Sequence, residues 1–363
     1  MGGTVTQDVT CEVKGAIGLI TLNRPKALNA LTLGMIEVMA PVLKDWAADD
    51  SVQAVVIRGA GDRAFCAGGD VRAVWDAGKA MQRGEGDGAL TATFFAEEYR
   101  LNRRIKRFPK PYLAILDGIT MGGGVGLSVH GSHRVTTEKT LFAMPETGIG
   151  LFPDVGGTYF LPRLPGQLGT YLALTGARVQ AADLHYMGIG TGHIPSDKVD
   201  ALVDLLAGSD LSGGDPHKRV DDLVATFEAS VGEPTLPGHR EAIDRCFAAG
   251  TVEDILAALV QEGSEWADAT AKTILSMSPT SLKLALAQMR RGVELDFDDA
   301  MRLEFRMMQG CMRGQDFYEG IRAVLVDKDR NPKWSPASLE EVDAGMIESH
   351  FTLPTAGELA FED

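Results

Sequence analysis

The sequence predicts a mixed α/β core to about residue 205, followed by a helical region over residues 206–363. Three observations carry this reading. Short β-branched runs in the first half alternate with a helical pattern, the order expected of βαβ crossovers in a parallel sheet. Glycine is unevenly spread: residues 1–192 hold 29 of the 42, and the window 118–157 alone holds 10. The second half instead carries apolar residues at helical spacing over 240–262, 267–291 and 297–326.

Each element has its own signal. Residues 16–22 (AIGLITL) read as a strand closed by Asn23-Arg24-Pro25. A helix is predicted over residues 32–46, with Met35, Met39, Val42, Leu43 and Trp46 on one side. Pro41 interrupts it and predicts a kink or an early end. Residues 54–58 (AVVIR) and 112–116 (YLAIL) read as further strands. Residues 79–92, rich in glycine and charge, read as a mobile loop, and 207–216 (AGSDLSGGDP) as a linker or long loop. Near the end, Leu303, Met307, Met308 and Cys311 recur as a helix stripe.

Composition bounds the function. The 363 residues suffice to bury a sizeable core. With 35 Lys+Arg against 50 Asp+Glu, a net charge of −15 disfavours nucleic acid and anionic membrane as partners. No apolar run approaches the ~18 residues of a membrane span. Four scattered cysteines (Cys11, Cys66, Cys246, Cys311) form no CxxC pair and read as reduced thiols. The first 15 residues lack an apolar signal core or an Arg-rich presequence. The expected location is cytoplasmic, or the mitochondrial matrix for a processed eukaryotic chain.

Several motifs fail their own tests. Residues 121–126 (MGGGVG) do not continue into GxGxxG, and no P-loop is present. Ser128 lies in a segment like a nucleophile elbow that ends in His130 instead of glycine. His130 and His133 lack the glutamate of a zinc-binding HExxH. Two glycine-rich loops remain, 65–70 (FCAGGD) and 118–126, each following a predicted strand. They read either as tight turns or as a pair of backbone N–H donors aimed at one carbonyl oxygen, an oxyanion hole. Glu146 and Asp154 lie in apolar, glycine-rich surroundings, where a carboxyl's proton affinity rises and acid–base work near neutrality becomes possible. The alternatives are a salt bridge for Glu146 and a helix cap for Asp154.

In this order, residues 23–30 (NRPKALNA), 64–70, 118–126 and 145–157 resemble the crotonase (enoyl-CoA hydratase/isomerase) superfamily. The resemblance implies a core of ββα turns wound into a spiral and an acyl-CoA thioester substrate. It places an oxyanion hole on the N–H groups of Gly69 and Gly123. It puts CoA contacts on Lys26, Ala27, Leu28, Asp70, Val71 and Arg72, with positive potential from Arg24, Lys26 and Arg72. Hydratases of the superfamily use two glutamates; one falls on Glu146, and the other position holds Gly126. The pairing of Glu146 with Asp154, the longer helical C-terminal part, and residues 316–323 (DFYEGIRA) are similar to the 3-hydroxyisobutyryl-CoA hydrolase branch. That branch implies hydrolysis of a short branched 3-hydroxyacyl-CoA, as in valine breakdown. It implies a substrate-contacting role for Glu98, whose plain alternative is a solvated helix charge. It requires no metal and no cofactor. Crotonases commonly trimerise through C-terminal helices, so a homo-oligomer is one expectation; a C-terminal part that covers its own active site is the other. The rival reaction is hydration or isomerisation of another acyl-CoA, with Glu146 as sole base.

Overall fold

A computed structural model describes residues 4, 5, 7–86, 89–355 and 357–361. Eleven strands are present among them: β1 (Thr4–Val5), β2 (Val9–Lys14), β3 (Ile17–Leu22), β4 (Ala54–Gly59), β5 (Ala64–Cys66), β6 (Tyr112–Leu116), β7 (Ile119–Met121), β8 (His133–Thr136), β9 (Leu141–Ala143), β10 (Val179–Gln180) and β11 (Gly192–His193). Seven form one sheet in the order β1-β2-β3-β4-β6-β8-β11, and four form a second in the order β10-β9-β7-β5. In the larger sheet β1, β2 and β3 pair antiparallel, and every pairing from β3 to β11 is parallel. The parallel core predicted from alternating strands and helices is therefore present.

The central strands are buried on both faces, as parallel strands with crossovers require. On one face Ile17, Leu19, Ala54, Val56, Leu113, Ile115 and Val135 join Val199, Leu202, Val203, Leu206, Val220 and Val224 in one cluster. The latter come from the helices Val199–Gly208 and Pro216–Ala225, which thus cover the sheet. The alternate residues Ile20, Leu22, Val55 and Ile57 are equally buried. Between β3 and β4 runs α1 (Leu33–Ala48), capped by Thr32, whose side chain accepts from the Met35 N–H. Pro41 does not end it. Pro41 and Glu37, the residue whose carbonyl loses its donor, lie on the exposed side, while Met35, Met39, Leu43 and Trp46 are buried. The freed carbonyl faces water, and packing of the inner side holds the helix through the proline.

The chain divides into two compact units. The first comprises the described residues of Met1–Gly69, Arg100–Phe142 and Arg178–Thr235; the second comprises those of Asp70–Tyr99, Ala143–Ala177 and Leu236–Asp363. Residue 205 lies in the first unit, inside the sheet-covering helix Val199–Gly208. The second unit is helical. It includes α2 (Val71–Gln82), the start of α3 (Ala89–Lys106), α4 (Pro279–Gly292) and α5 (Phe297–Arg313). One expectation needs correction here. The loop predicted over 79–92 is helical at both ends, because α2 runs to Gln82 and α3 starts at Ala89; residues 87 and 88 of that prediction lie outside the described residues. The three long helical stretches are each interrupted: at Ala248-Ala249-Gly250-Thr251, before Pro279, and at Gly314. Thr251 and Ser278 cap the helices that restart after the first two.

All four cysteines are buried thiols outside any disulfide among the described residues. Burial pushes the Cys11 thiol up to about 12 and raises Cys246 and Cys311 as well. Among the described residues no helix is long and apolar enough to cross a membrane.

Candidate active site

In the first unit the two glycine-rich loops stand side by side. β5 and β7 are parallel neighbours, with Ala64 opposite Ile119 and Cys66 opposite Thr120. Beyond β5 the chain turns through Gly68 (φ +115°) to Gly69, which pairs with Leu31. Beyond β7 it turns through Gly122 (φ +46°) into a single helical turn, Gly123–Gly126. Gly123 opens that turn, so its N–H has no acceptor within it. A Cβ on Gly124 would overlap the Cys66 carbonyl oxygen; only glycine lets the loops approach this closely.

The segment 24–31 is laid along the first of these loops. Ala67 N–H donates to the Leu28 carbonyl (3.0 Å), and Leu31 N–H donates to the Gly68 carbonyl (2.9 Å). Leu28 and Asn29 adopt left-handed conformations (φ +51° and +56°). Buried Asn29 makes this possible: it accepts from the Arg24 N–H (2.9 Å) and donates to the carbonyls of Ala60 (2.9 Å) and Ala64 (2.8 Å). Arg24 donates to the Ala30 carbonyl (2.7 Å) and sits 3.6 Å from the Asp8 carboxylate, so it clamps this segment, whereas Lys26 is exposed. In the second unit Asp70 caps α2 by accepting from the Ala73 N–H (3.3 Å), and Arg72 pairs with Asp76 one turn on (3.0 Å).

The second unit also gathers the carboxyls. Glu98 and Tyr99 are on α3, Glu146 opens a short 3-10 turn (Glu146–Ile149), and Asp154 lies on the loop before the turn Gly157–Phe160. All four side chains are buried. Tyr99 donates to Asp154 Oδ2 at 2.8 Å. Glu98 Oε1 and Glu146 Oε2 have no hydrogen-bond partner among the described residues. A fifth polar group completes the cluster. Glu304, on α5, accepts from the N–H groups of Gly156 and Thr158, both at 2.8 Å. Gln288, on α4, donates to the Pro153 carbonyl (2.6 Å) and the Thr158 hydroxyl (2.8 Å).

Burial dominates the electrostatics. It raises the proton affinity of Glu98, with the charges of Asp154 and Glu304 adding to it. It does the same for Glu146, with Asp154 the next largest contributor. Asp154 is pushed up to about 7, although the Tyr99 hydroxyl works the other way by favouring the ionised form. Glu304 rises to about 8, restrained by its two backbone N–H partners. Asp154 and Glu304 therefore exchange protons near neutrality, as an acid–base site requires.

A model of the enoyl-CoA hydratase/isomerase family matches residues 17–351. The chain belongs to that family. Among curated relatives, a zebrafish (Danio rerio) protein named 3-hydroxyisobutyryl-CoA hydrolase, mitochondrial, is 49% identical over 97% of this chain and 91% of its own length. The human protein of the same name is 48% identical over 98% and 91%. Among solved structures, one titled carnitinyl-CoA dehydratase from Mycobacterium thermoresistibile superposes with a TM-score of 0.90 at 44% identity, covering 98% of this chain and 99% of that one. One titled enoyl-CoA hydratase from Rhodobacter sphaeroides gives 0.87 at 38% identity, over 98% and 100%. The expected crotonase-like fold is thus the fold of this family member.

Within the second unit the fold brings together Glu98, Glu146 and Asp154, and it excludes the reading of Glu98 as a solvated charge. Within the first it sets the loops of Gly69 and Gly123 next to each other. Ser128 is buried, and its hydroxyl donates to the Gly124 carbonyl (2.8 Å). His133 Nδ1 bonds the Ser132 hydroxyl (2.8 Å). Sequence reasoning missed Tyr99, Gln288 and Glu304. For Glu304 a signal existed: it lies four residues before Met308 and seven before Cys311, a charge on an otherwise apolar helix face.

Proposed function

We propose that this chain hydrolyses 3-hydroxyisobutyryl-CoA, a short branched 3-hydroxyacyl thioester, to 3-hydroxyisobutyrate and CoA. The carrying observation is the buried cluster in which Glu98 and Glu146 each keep a carboxyl oxygen without a protein partner, beside Asp154. Relatives named for this hydrolysis, 48–51% identical over most of the chain, support it.

In this reading the thioester oxygen is held by the N–H groups of Gly69 and Gly123, which act most strongly as negative charge develops there. Such a donor is worth roughly 3–4 kcal/mol of barrier. Glu146 supplies the attack, either by bonding to the carbonyl carbon as a mixed anhydride or by taking a proton from the attacking water. Both routes start from its ionised form, pass through an oxyanion, and release CoA as the thiol while water supplies the acid oxygen. Asp154 orients Glu146 or water and relays the proton. Glu98 bonds the substrate 3-hydroxyl, which disfavours acyl chains lacking it because the buried carboxyl is then left unpaired. Lys26, Ala27, Leu28, Asp70, Val71 and Arg72 contact CoA. No metal or redox cofactor takes part. The relatives' names place them in mitochondria; the same reading puts a eukaryotic form of this chain in the matrix and a bacterial one in the cytoplasm.

Enoyl-CoA hydration is the second reading, favoured by the name of the superposing Rhodobacter sphaeroides protein. Against it, the position of the second hydratase glutamate holds Gly126, buried in the turn after β7. The purified protein is offered 3-hydroxyisobutyryl-CoA and crotonyl-CoA, and free thiol and enoyl absorbance are followed. Thiol release from the first alone supports hydrolysis. Loss of enoyl absorbance from the second, without thiol release from the first, overturns it.

A further inference from the structure

We propose that Glu304 is the positioning residue of this site: it fixes the aim of Asp154 by clamping the turn that carries it. The inference rests on the catalytic reading of Asp154 given above. Three observations support it. Glu304 is fully buried in the middle of α5, and both of its oxygens are used on alternate N–H groups of one turn, Gly156 and Thr158. The turn is strained next to Asp154: Val155, a β-branched residue, has φ +50°, followed by Gly156 at +91°. Such a conformation persists only where its surroundings over-determine it. Gln288 holds the same loop at Pro153 and Thr158, so the backbone is pinned on both sides of Asp154 while its carboxyl is left to Tyr99.

The chemistry of the clamp explains why a carboxylate stands here. Two converging N–H donors need two acceptors. An amide offers one oxygen and would turn its own N–H₂ toward the second donor. A carboxyl presents both oxygens, and once it ionises, at about 8, its charge also acts on its neighbours. The ionisable groups coupled to it by charge are Glu98, Tyr99, Glu146 and Asp154, and Glu304 helps to raise the proton affinity of Glu98 and Glu146. A residue that only packed the helix would not need to be ionisable.

Two variants separate position from charge. Glu304→Gln keeps the shape but loses the charge and one acceptor. We expect kcat to fall about 100-fold, the scale of an ångström-sized misplacement, with KM nearly unchanged. The acid limb of the kcat–pH profile should stay in place, because Glu304 is itself protonated where Asp154 titrates. Glu304→Asp keeps the charge but falls one methylene short; kcat should fall while the acid limb stays in place. A crystal structure of the Gln variant should show Val155 leaving its left-handed conformation. A folded Gln variant with wild-type kcat, or one in which Val155 keeps its left-handed conformation, overturns the proposal, whatever its Tm. Both variants are assayed on whichever acyl-CoA the wild type turns over. A wild type that hydrates crotonyl-CoA instead of releasing thiol therefore overturns the hydrolase reading and leaves this test intact.

Discussion

The Tyr99 hydroxyl donates to Asp154 Oδ2 at 2.8 Å, and both side chains are buried. This bond opposes the effect of burial, since it stabilises the ionised carboxylate in a setting that favours the acid. Removing it has a direction that can be checked. In Tyr99→Phe, Asp154 should hold its proton to higher pH than its native value of about 7. The acid limb of the kcat profile should shift upward, at a stability cost of about 1 kcal/mol. A limb that stays in place would separate Asp154 from the proton transfer.

Glu146→Gln should abolish turnover, with kcat down by at least roughly 10³-fold, while the protein stays folded and still binds acyl-CoA. The change is isosteric and removes a carboxyl whose ionised form is disfavoured by burial. Calorimetric binding of a non-hydrolysable acyl-CoA and a rate measurement decide it; near-native activity would remove Glu146 from the chemistry.

Stability should fall as pH rises through neutrality. Burial raises Asp154 and Glu304 from the ordinary carboxyl range, about 4, to about 7 and 8 in the native protein. The folded state binds more protons than the unfolded one between these limits, so their contribution is complete below about pH 4 and is lost through pH 7–8. Glu98 and Glu146, also raised by burial, act in the same direction. Scanning calorimetry should give a lower Tm at pH 8.5 than at pH 5.5, and Glu304→Gln should flatten the difference. A Tm that rises over this interval would contradict the burial described.

Gly124→Ala should push apart the loops after β5 and β7, because the new methyl meets the Cys66 carbonyl, a backbone atom that cannot swing away. The expected cost is about 1–3 kcal/mol of stability. Catalytic loss should exceed what the remaining folded fraction explains. Equal losses in activity and in folded fraction would argue against a shared role for the two loops.

Local signals were readable where the physics is local. β3, β4 and β6 show as short apolar runs, and α1 shows as a stripe from Met35 to Trp46. Glu146 stood out because a carboxyl among Met144, Pro145, Gly148 and Ile149 has few ways to be solvated. Pro41 misled, since its helix survives on contacts made far along the chain. Tyr99 was invisible for the same reason: its partner lies 55 residues away, and no spacing links them. Glu304 was readable in principle from its place on the Met307–Met308–Cys311 face, yet what it holds, the turn after Asp154, is 148 residues distant.

The sealed cysteines bear on how the reaction is counted. Hydrolysis of a thioester liberates a sulfhydryl, and a disulfide dye reports each one released. With Cys11, Cys66, Cys246 and Cys311 all interior and three of them held more firmly as thiols than usual, the native protein contributes little to that signal. The same dye becomes a gauge of denaturation once the fold opens, with up to four extra equivalents per chain. One reagent thus tracks catalysis while the structure holds and integrity when it fails.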